Sequence, residues 1–408
     1  MKYLLPQIGP QTISYQQHVK EANIKRIFDL VRSGKCTSRA ELVRTMKLSA
    51  TSVSVLVEEL AERGLIDEIG PQQTFQPGRR PISLQYTSDA RQIVVFRLSR
   101  DGVRYDLLDL DCHLLESLSV PFDSAVFAGE DSGDRYTEIF SDILLNRAQR
   151  FDLQRTALVG ICSAGIYSDD SHALLVQSAM GTSITESALR AFQRRIRVPL
   201  LVANRTMCMA YAEKKRIDAD NPIEPETQYM LFVRVNESIR GAVINAGDLY
   251  VGPYNLPVEI GHFCVDFHGR PCPCGSVGCL ERYVNMDLIL QDAQQACARA
   301  GVTAPVSIDD LSAHFLNHPA VMEVLNSAAE LLSVGLYTAV NATGVRTVVL
   351  GGGLSALGNR FLHQVYRAVM RRSLIVHRLD LRYAKVGDDS DSIGLAQYFL
   401  DKLFTVTM

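Results

Sequence analysis

The hydrophobic pattern of this chain changes its period near residue 90, and this change constrains the fold more than any other feature. Up to Gly64, apolar side chains recur at the three- and four-residue spacing of amphipathic helices. From residue 91 onward, short apolar runs typical of strands alternate with helical segments. The sequence therefore predicts a small helical N-terminal segment followed by an α/β body with helix-covered sheets.

The N-terminal segment is predicted to form a helix-turn-helix. One helix covers residues 23–33, a second follows Ser38 with Glu41 three positions later as a capping box, and a third starts at Ser49. In this motif the second helix of the pair places its N-terminal side chains in the major groove of DNA. The candidate DNA-contacting residues of that helix are Ser49, Thr51, Ser52 and Ser54.

A basic hairpin is expected directly after the third helix. Residues 65–69 and 81–84 have strand character, and the loop between them contains Arg79 and Arg80. Arginines at the tip of such a wing can lie on phosphate or in the minor groove. Residues 1–86 carry 12 Lys+Arg against 8 Asp+Glu, an excess that suggests a nucleic-acid-binding module but is small enough to arise by chance. A three-helix interaction module that does not bind DNA is the alternative.

The body is predicted to consist of two related α/β lobes. A three-strand meander starts at residue 92 and is followed by helices and strands in alternation, and strand pairs recur after residue 227. The predicted domains are a winged helix-turn-helix at 1–86, a first lobe at 87–200 completed by a C-terminal helix within 388–408, and a second lobe with a zinc site at 201–387.

The composition is that of an ordinary soluble globular chain, with 408 residues of which 47% are hydrophobic and 21% charged. No apolar run approaches 18 residues, and the N-terminus lacks the pattern of a signal peptide. We therefore expect no membrane insertion and a cytoplasmic location.

Four of the nine cysteines lie within residues 264–279. In a chain without a secretory signal, such crowding favours a metal site over disulfides. Zinc takes four nitrogen or sulfur ligands in a tetrahedron, and four protein ligands are typical of a structural site. The predicted ligands of one structural zinc per chain are His262, Cys272, Cys274 and Cys279. Unrelated buried cysteines are the alternative.

Three motifs in the body are Glu259-Ile260-Gly261-His262, the cysteine-rich run from Cys272 to Glu281, and the run from Val349 to Ser355. With these motifs the chain resembles the ROK family, which includes sugar kinases and sugar-responsive transcriptional repressors. The likeness spans nearly the whole chain, and its winged helix resembles the repressor branch with the glucose-regulon and N-acetylglucosamine repressors. The resemblance implies an actin-like two-lobe body of the sugar kinase/ATPase type, a structural zinc, and homodimers or homotetramers.

Departures from the family's kinase motifs predict that this chain is not an enzyme. Family kinases have two glycine-rich loops whose backbone amides cradle phosphates. This chain has FRLSRDG at 96–102 and VNESIRG at 235–241 instead. Where the kinases have an Asp as general base, this chain has Arg205, which cannot accept a proton. ATP binding and phosphoryl transfer are both predicted to be lost.

The resemblance also implies a sugar pocket that is partly kept. The positions that match the family's sugar-binding residues are Asn204, Glu259, His262 and Glu281. His262 would bind zinc with one ring nitrogen and a ligand hydroxyl with the other. Beside them, Arg205 favours a phosphorylated or acidic sugar, or else pairs with Glu259 and closes the pocket. In the alternative interpretation, Glu259 and Glu281 only support the zinc loop.

The leading hypothesis is a repressor of carbohydrate-related genes that binds a palindromic double-stranded DNA operator and responds to a sugar or sugar-phosphate effector. Two alternatives stay open. One is a sugar kinase with an appended DNA-binding domain, and the other is a regulator whose signal is a protein partner.

Overall fold

The computed structural model describes residues 2–4, 15–71, 82–99, 102–121, 132–168, 172–177, 182–220, 228–250, 257–372, 379–387 and 389–402. The chain divides into two compact units. The N-terminal unit consists of Tyr3–Ile161, Ile184–Val202 and Ala396–Met408. The C-terminal unit consists of Met1–Lys2, Cys162–Ser183 and Ala203–Leu395.

Three helices and a hairpin stand at the start of the N-terminal unit. After a short strand β1 (Lys2–Leu4), the helices are α1 (Tyr15–Arg32), α2 (Arg39–Met46) and α3 (Ala50–Glu62), and the antiparallel strands of the hairpin are β2 (Asp67–Pro71) and β3 (Ile82–Gln85). The helices share a core built from one apolar stripe each, which includes Phe28, Leu42 and Val57. This is the predicted helix-turn-helix with its hairpin.

Side-chain caps fix the starts of α2 and α3, as the sequence predicts. The hydroxyl of Ser38 accepts from the amide of Glu41 at 3.4 Å, and that of Ser49 accepts from the amide of Ser52 at 3.0 Å. Helix α1 starts at Tyr15 rather than at the predicted residue 23. The prediction missed its first turns because the largely polar sequence before Ile24 has no apolar stripe from which a helix could be predicted.

A six-stranded sheet forms the core of the N-terminal unit. The next elements are β4 (Gln92–Leu98), β5 (Gly102–Leu108), β6 (Leu114–Pro121), α4 (Ser132–Asp142), β7 (Thr156–Ser163), β8 (Ile166–Ser168), β9 (Ala173–Gln177), β10 (Thr182–Thr185), α5 (Glu186–Ile196) and β11 (Leu200–Asn204). The strand order is β1-β11-β7-β4-β5-β6. Strands β10-β9-β8 form a separate small sheet, of which β8 and β9 belong to the C-terminal unit. Phe96 on β4 stacks on Phe140 of α4 with ring centroids 4.3 Å apart.

The C-terminal unit is built on a five-stranded sheet of order β14-β13-β12-β15-β16. Its elements are α6 (Arg205–Asp220), β12 (Met230–Val235), β13 (Ile239–Asn245), β14 (Asp248–Leu249), α7 (Glu281–Val284), α8 (Met286–Arg299), α9 (Ile308–Asp310), α10 (Pro319–Thr343), β15 (Thr347–Gly352), α11 (Gly358–Arg372) and β16 (Asp380–Tyr383). The last helix, α12 (Ser390–Lys402), belongs to this unit up to Leu395 and to the N-terminal unit from Ala396.

Alternation along β12 explains how its sheet is covered on both sides. Leu231, Val233 and Val235 belong to one large apolar core with side chains of α8, α10 and α11. The residues between them face the opposite side, where α6 packs against β12 and β13. Arg234 therefore projects from the α6 side of the sheet.

The small sheet β8–β10 and the edge strands β14 and β16 were not predicted, because runs of two to five residues carry too little period to identify a strand. Among the described residues, no helix combines the length and the apolar character needed to cross a membrane. The three predicted domain boundaries stay predictions.

Candidate functional site

Four soft donor side chains meet in the loop that precedes α7. His262 ends a short 3-10 turn, and Cys272, Cys274 and Cys279 follow it. One ligand atom from each lies within 4.8 Å of all the others, and the Sγ atoms of Cys274 and Cys279 are 3.7 Å apart. Three thiols and one imidazole fit a tetrahedral metal ion, and with four protein ligands the coordination sphere is closed. These are the four predicted ligands.

The backbone of this loop folds back on itself to bring the donors together. The amide of Cys272 donates to the carbonyl of Ser276 at 2.8 Å, and Cys264 and Cys279 form an antiparallel bridge. Gly278 has a φ of +68°, and a Cβ there would lie 1.7 Å from the carbonyl oxygen of Asp266. Only glycine fits this position, so the sequence Gly278-Cys279 is required for the loop to close.

The thiols differ in their acidity. Burial raises the pKa of Cys279 to about 12 and also raises the pKa of Cys272, whereas the Ser276 amide lowers the pKa of Cys274. A bound cation would favour all three thiolates and release protons on binding. Cys264 is exposed and does not belong to the cluster.

Next to the cluster, a guanidinium lies between two carboxylates. Nη1 of Arg240 is 3.2 Å from Oε2 of Glu259 and 3.4 Å from Oε2 of Glu281. His262 contacts the same pair, with Nε2 at 3.6 Å from Glu259 and Nδ1 at 3.6 Å from Glu281. The structure therefore brings together three of the predicted ligand-binding residues, and it adds Arg240, which was not predicted.

Glu259 is held by an ion pair rather than by a hydrogen bond. Its Oε2 is buried 3.2 Å from Nη1 of Arg240, and no described residue donates a hydrogen bond to it. Burial raises the pKa of Glu259, Arg240 and His262 oppose that rise, and Glu281 adds to it. The charge of Arg240 offsets part of the cost of burying this oxygen, and a hydroxyl from outside the chain would supply the hydrogen bond that the ion pair lacks.

Asn204 and Arg205, by contrast, are held by their own unit. The amide nitrogen of Asn204 donates to the carbonyls of Ala164 and Gly165 at 3.2 and 2.9 Å. Nε of Arg205 donates to Oδ2 of Asp391 at 2.7 Å, and Asp391 is fully buried. The ion pair of Arg205 with Glu259, one of the two expectations for Arg205, is not formed. Arg205 pairs with Asp391 instead, and Glu259 pairs with Arg240.

The segment after β12 is fastened by side chains rather than left open. Oδ1 of Asn236 accepts from the amide of Gly353 at 2.6 Å, and Nη1 of Arg234 is 3.5 Å from Oε1 of Glu237. A Cβ at Gly352, where φ is +80°, would lie 2.3 Å from the carbonyl oxygen of Val235. The side chain of Asn236 therefore already accepts the hydrogen bond of the Gly353 amide at this turn.

The start of α3 presents a small polar surface. Ser49, Thr51 and Ser52 are exposed, Ser54 is half-buried, and Val55 is 52% exposed. Small exposed side chains allow a helix to approach base edges closely. Arg79 and Arg80 lie outside the described residues.

Two cations beside α3 were missed. Arg44 and Lys47 are both exposed at the end of α2, and Lys47 has a φ of +55° as the cap of that helix. Both residues lie at the turn of the helix-turn-helix, where cationic side chains often contact the phosphates of DNA. Their position in the sequence was therefore enough to predict them as candidate phosphate contacts.

Residues 135–402, about two thirds of the chain, match the model of the ROK family. The chain belongs to the ROK family. It is similar to the xylose repressor of Bacillus subtilis, with 24% identity over 397 residues that cover 95% of this chain and 97% of the repressor. It is also similar to the DNA-binding transcriptional dual regulator NagC of Escherichia coli, with 22% identity over 385 residues, 91% of this chain and 90% of NagC.

A solved structure shares the fold over almost the same length. The ROK family transcriptional regulator described as a homologue of the E. coli MLC protein has a TM-score of 0.77 and 22% identity, covering 95% of this chain and 98% of its own. The predicted fold class and the predicted resemblance to the repressor branch are confirmed.

Proposed function

We propose that this protein is a sugar-responsive transcriptional repressor that binds DNA and does not phosphorylate sugars. The observation that carries the proposal is the capped helix-turn-helix with an exposed polar start of α3, within a chain that is similar to named repressors over most of its length. A repressor needs such a segment to reach the major groove, whereas phosphoryl transfer has no use for it. We place this activity in the cytoplasm.

The proposed DNA interface joins α3 to the wing. Thr51, Ser52 and Ser54 read or approach the major groove, Ser49 holds the helix start, and Arg79 and Arg80 of the wing contact phosphate or the minor groove. The operator is a palindrome, because a homodimer, alone or within a homotetramer, presents two copies of this surface related by a twofold axis.

One zinc ion per chain completes the proposed protein, held by His262, Cys272, Cys274 and Cys279. Bound there, it supplies a structural cross-link with no open position for a reacting water. The fit rests on the donor set and on the 4.8 Å span of its ligand atoms. The cross-link holds His262 beside Glu259 and Glu281, so the effector site depends on it.

The proposed effector is a sugar or sugar derivative whose hydroxyls bind Glu259, His262 and Glu281. Support comes from Oε2 of Glu259, which is buried and ion-paired with Arg240 but accepts no hydrogen bond from the described residues. Asn204 and Arg205 shape the same unit from within, through the contacts they make to Gly165 and Asp391. The absence of kinase activity follows from Arg205 in place of a general base.

The deciding experiment measures DNA binding by the full chain. Operators would be selected from a random duplex library, and the salt dependence of affinity measured for wild type and for the Arg79→Ala/Arg80→Ala double variant. Loss of two phosphate contacts makes the negative slope of log K against log salt shallower by about 1.8 per wing. Selection without any enriched palindrome would contradict the proposal.

Two further assays separate the alternatives. A coupled assay of ATP consumption over a sugar panel gives no turnover if the protein is a regulator, and turnover would favour the kinase. In a thermal-shift screen with sugars and sugar phosphates, a compound that binds the folded protein raises its Tm, which would show that a small effector exists. A screen without any shift would favour control by a protein partner.

A further inference from the structure

We propose that Cys264 is a site of oxidation by hydrogen peroxide, and that the oxidised Cys264 forms a disulfide with Cys279 and so dismantles the metal cluster. The inference rests on the proposed zinc site and goes beyond it, because it assigns a redox signal to a cysteine outside the four donors. Cys264 is exposed, whereas the side chain of Cys279 is fully buried. Redox-sensing cysteines are typically accessible and lie next to a second cysteine that resolves them.

Cys264 and Cys279 are direct cross-strand neighbours. They form an isolated antiparallel bridge, in which the residue after each cysteine donates its amide to the carbonyl of the residue before the other, over 2.8 and 2.9 Å. The hydrogen bonds therefore flank the two cysteines, which form a non-hydrogen-bonded pair. In such a pair the side chains lie close together on one face, with the Cα atoms about 4.5 Å apart.

This pairing is suited to a disulfide. A disulfide needs Cα atoms roughly 4.4–6.8 Å apart and Cβ atoms that face each other. A non-hydrogen-bonded antiparallel pair meets both conditions without movement of the backbone, so only the two side chains have to turn. The bond between Cys264 and Cys279 can therefore form within the folded loop.

The reaction takes two steps and consumes one hydrogen peroxide. The sulfur of Cys264 attacks one peroxide oxygen, the O–O bond breaks, and a sulfenic acid and a water form. The sulfur of Cys279 then attacks the sulfenic sulfur, the S–S bond forms, and the oxygen leaves as a second water. Together the two thiols lose two hydrogen atoms and two electrons, and the peroxide is reduced to two waters.

The disulfide removes one of the four donors. A Cys279 sulfur that is bonded to Cys264 cannot also bind a cation as a thiolate, so the closed tetrahedral set is reduced to three ligands. The disulfide closes the base of the loop but holds neither Cys274 nor His262. Oxidation therefore releases His262, whose Nδ1 lies 3.6 Å from Glu281 in the proposed effector site.

Cys274 is the competing site of oxidation. It is exposed as well, and its Sγ lies 3.7 Å from that of Cys279. Cys274 belongs to the four donors, however, and the electron pair with which a thiolate attacks an oxidant is the one that binds a metal. Cys264 lies outside the donor set, so its sulfur stays available while the cluster holds a cation.

The test maps disulfides in the full-length protein, which is purified in reductant, desalted and treated with hydrogen peroxide. Free thiols are alkylated, and chymotrypsin then cuts after Phe267, which separates Cys264 from the three cysteine donors. We expect mass spectrometry to find a cross-linked peptide pair whose fragments place the bond between Cys264 and Cys279. Zinc release, followed with a colorimetric chelator, should rise in parallel to roughly one ion per disulfide.

Two variants assign the response to Cys264. At the lowest peroxide concentration that releases zinc from wild type, Cys264→Ser is expected to keep its zinc and to give no cross-linked peptide. The matched control, Cys297→Ala, removes a buried cysteine of α8 outside the cluster and should respond as wild type does. Peroxide should also weaken operator binding by wild type but not by Cys264→Ser, and reductant with added zinc should restore it.

Three results would overturn the inference while the proposed metal site stands. These are a disulfide between Cys274 and Cys279 instead, oxidation of Cys264 without a disulfide, or equal zinc release from wild type and Cys264→Ser. Wild-type protein that contains no zinc before oxidation would contradict the metal site, and the mapped disulfide would then decide whether Cys264 pairs with Cys279. The mapping needs no operator, so its result does not depend on the proposed DNA binding.

Discussion

At the scale of single residues, Arg205 has a structural task that its position in the sequence does not reveal. Its guanidinium is 2.7 Å from Oδ2 of Asp391, whose side chain is fully buried. Asp391 also accepts from the amide of Ser392 at 3.1 Å, so the carboxylate is fixed at the start of α12. A charge buried to this extent needs its partner, because an uncompensated carboxylate in the interior is far more costly than the pair.

Arg205→Ala is therefore expected to destabilise the protein by about 3–5 kcal/mol. The loss arises because the buried carboxylate of Asp391 no longer has the guanidinium of Arg205 beside it, so the double variant Arg205→Ala/Asp391→Asn should regain most of it. Urea unfolding followed by circular dichroism measures both free energies. A single variant as stable as wild type, or a double variant no better than the single one, would show that the ion pair is unimportant.

At the scale of elements, the metal loop and the recognition helix are the two segments with local tasks. The loop from His262 to Cys279 has few apolar side chains to bury, and Phe267 in it is 81% exposed. Its order therefore depends on turns, bridges and the four donors rather than on a core. A structural zinc contributes on the order of 10 kcal/mol to the folding of such a site.

Cys274→Ser is expected to leave less than one zinc per chain and to weaken operator binding, although the DNA-contacting residues are intact. Cys264→Ser is the matched control, because Cys264 is an exposed cysteine of the same loop outside the cluster. Elemental analysis after purification without chelator gives the zinc content. Zinc that is lost equally in both variants, or kept in both, would contradict the assignment.

Ser49 and Thr51 separate helix stability from DNA contact. The hydroxyl of Ser49 caps α3 through the amide of Ser52, so Ser49→Ala should cost about 1 kcal/mol of stability. Thr51 is exposed, so Thr51→Ala should weaken operator binding while the free energy of unfolding stays unchanged. Unfolding curves and fluorescence anisotropy on the selected operator check both. Equal operator affinity for Thr51→Ala and wild type would remove Thr51 from the interface.

What the sequence could predict depends on how far apart the interacting residues lie along the chain. The caps Ser38 and Ser49 act within three residues, and the candidate metal donors are crowded into 18 residues, so spacing alone was enough to predict the caps and the cluster. The partners of Arg205 and Arg240 are 186 and 41 residues away. The hydrophobic periodicity of a short sequence window cannot predict such pairs, because they form only once the sheet and α12 have folded.

At the scale of the whole molecule, the DNA-binding segment is fastened to the body within the N-terminal unit. Nε and Nη2 of Arg32, the last residue of α1, donate to Oδ1 of Asp111 at 3.2 and 3.1 Å, and Tyr86 donates to the same oxygen at 3.1 Å. Burial raises the pKa of Tyr86, so it remains a donor. Arg91 makes a second link, from the carbonyl of Arg63 to that of Gln154.

These links make the orientation of α3 depend on the turn between β5 and β6, where Asp111 lies. In Asp111→Ala the half-buried guanidinium of Arg32 loses its carboxylate, and hydrogen bonds to charged groups are worth about 1.5–3 kcal/mol. Amide exchange in α1 is therefore expected to rise roughly tenfold or more.

Operator binding should respond more selectively to the same variant. Affinity for the full palindrome falls, because two half-sites must be met at a fixed spacing, whereas affinity for an isolated half-site stays close to wild type. The control is Asp29→Ala, which removes an equal charge from an exposed position on α1 whose ion-pair partner, Lys25, lies on the same helix. Unchanged exchange in Asp111→Ala, or equal losses on palindrome and half-site, would mean that the orientation of the DNA-binding segment does not depend on this contact.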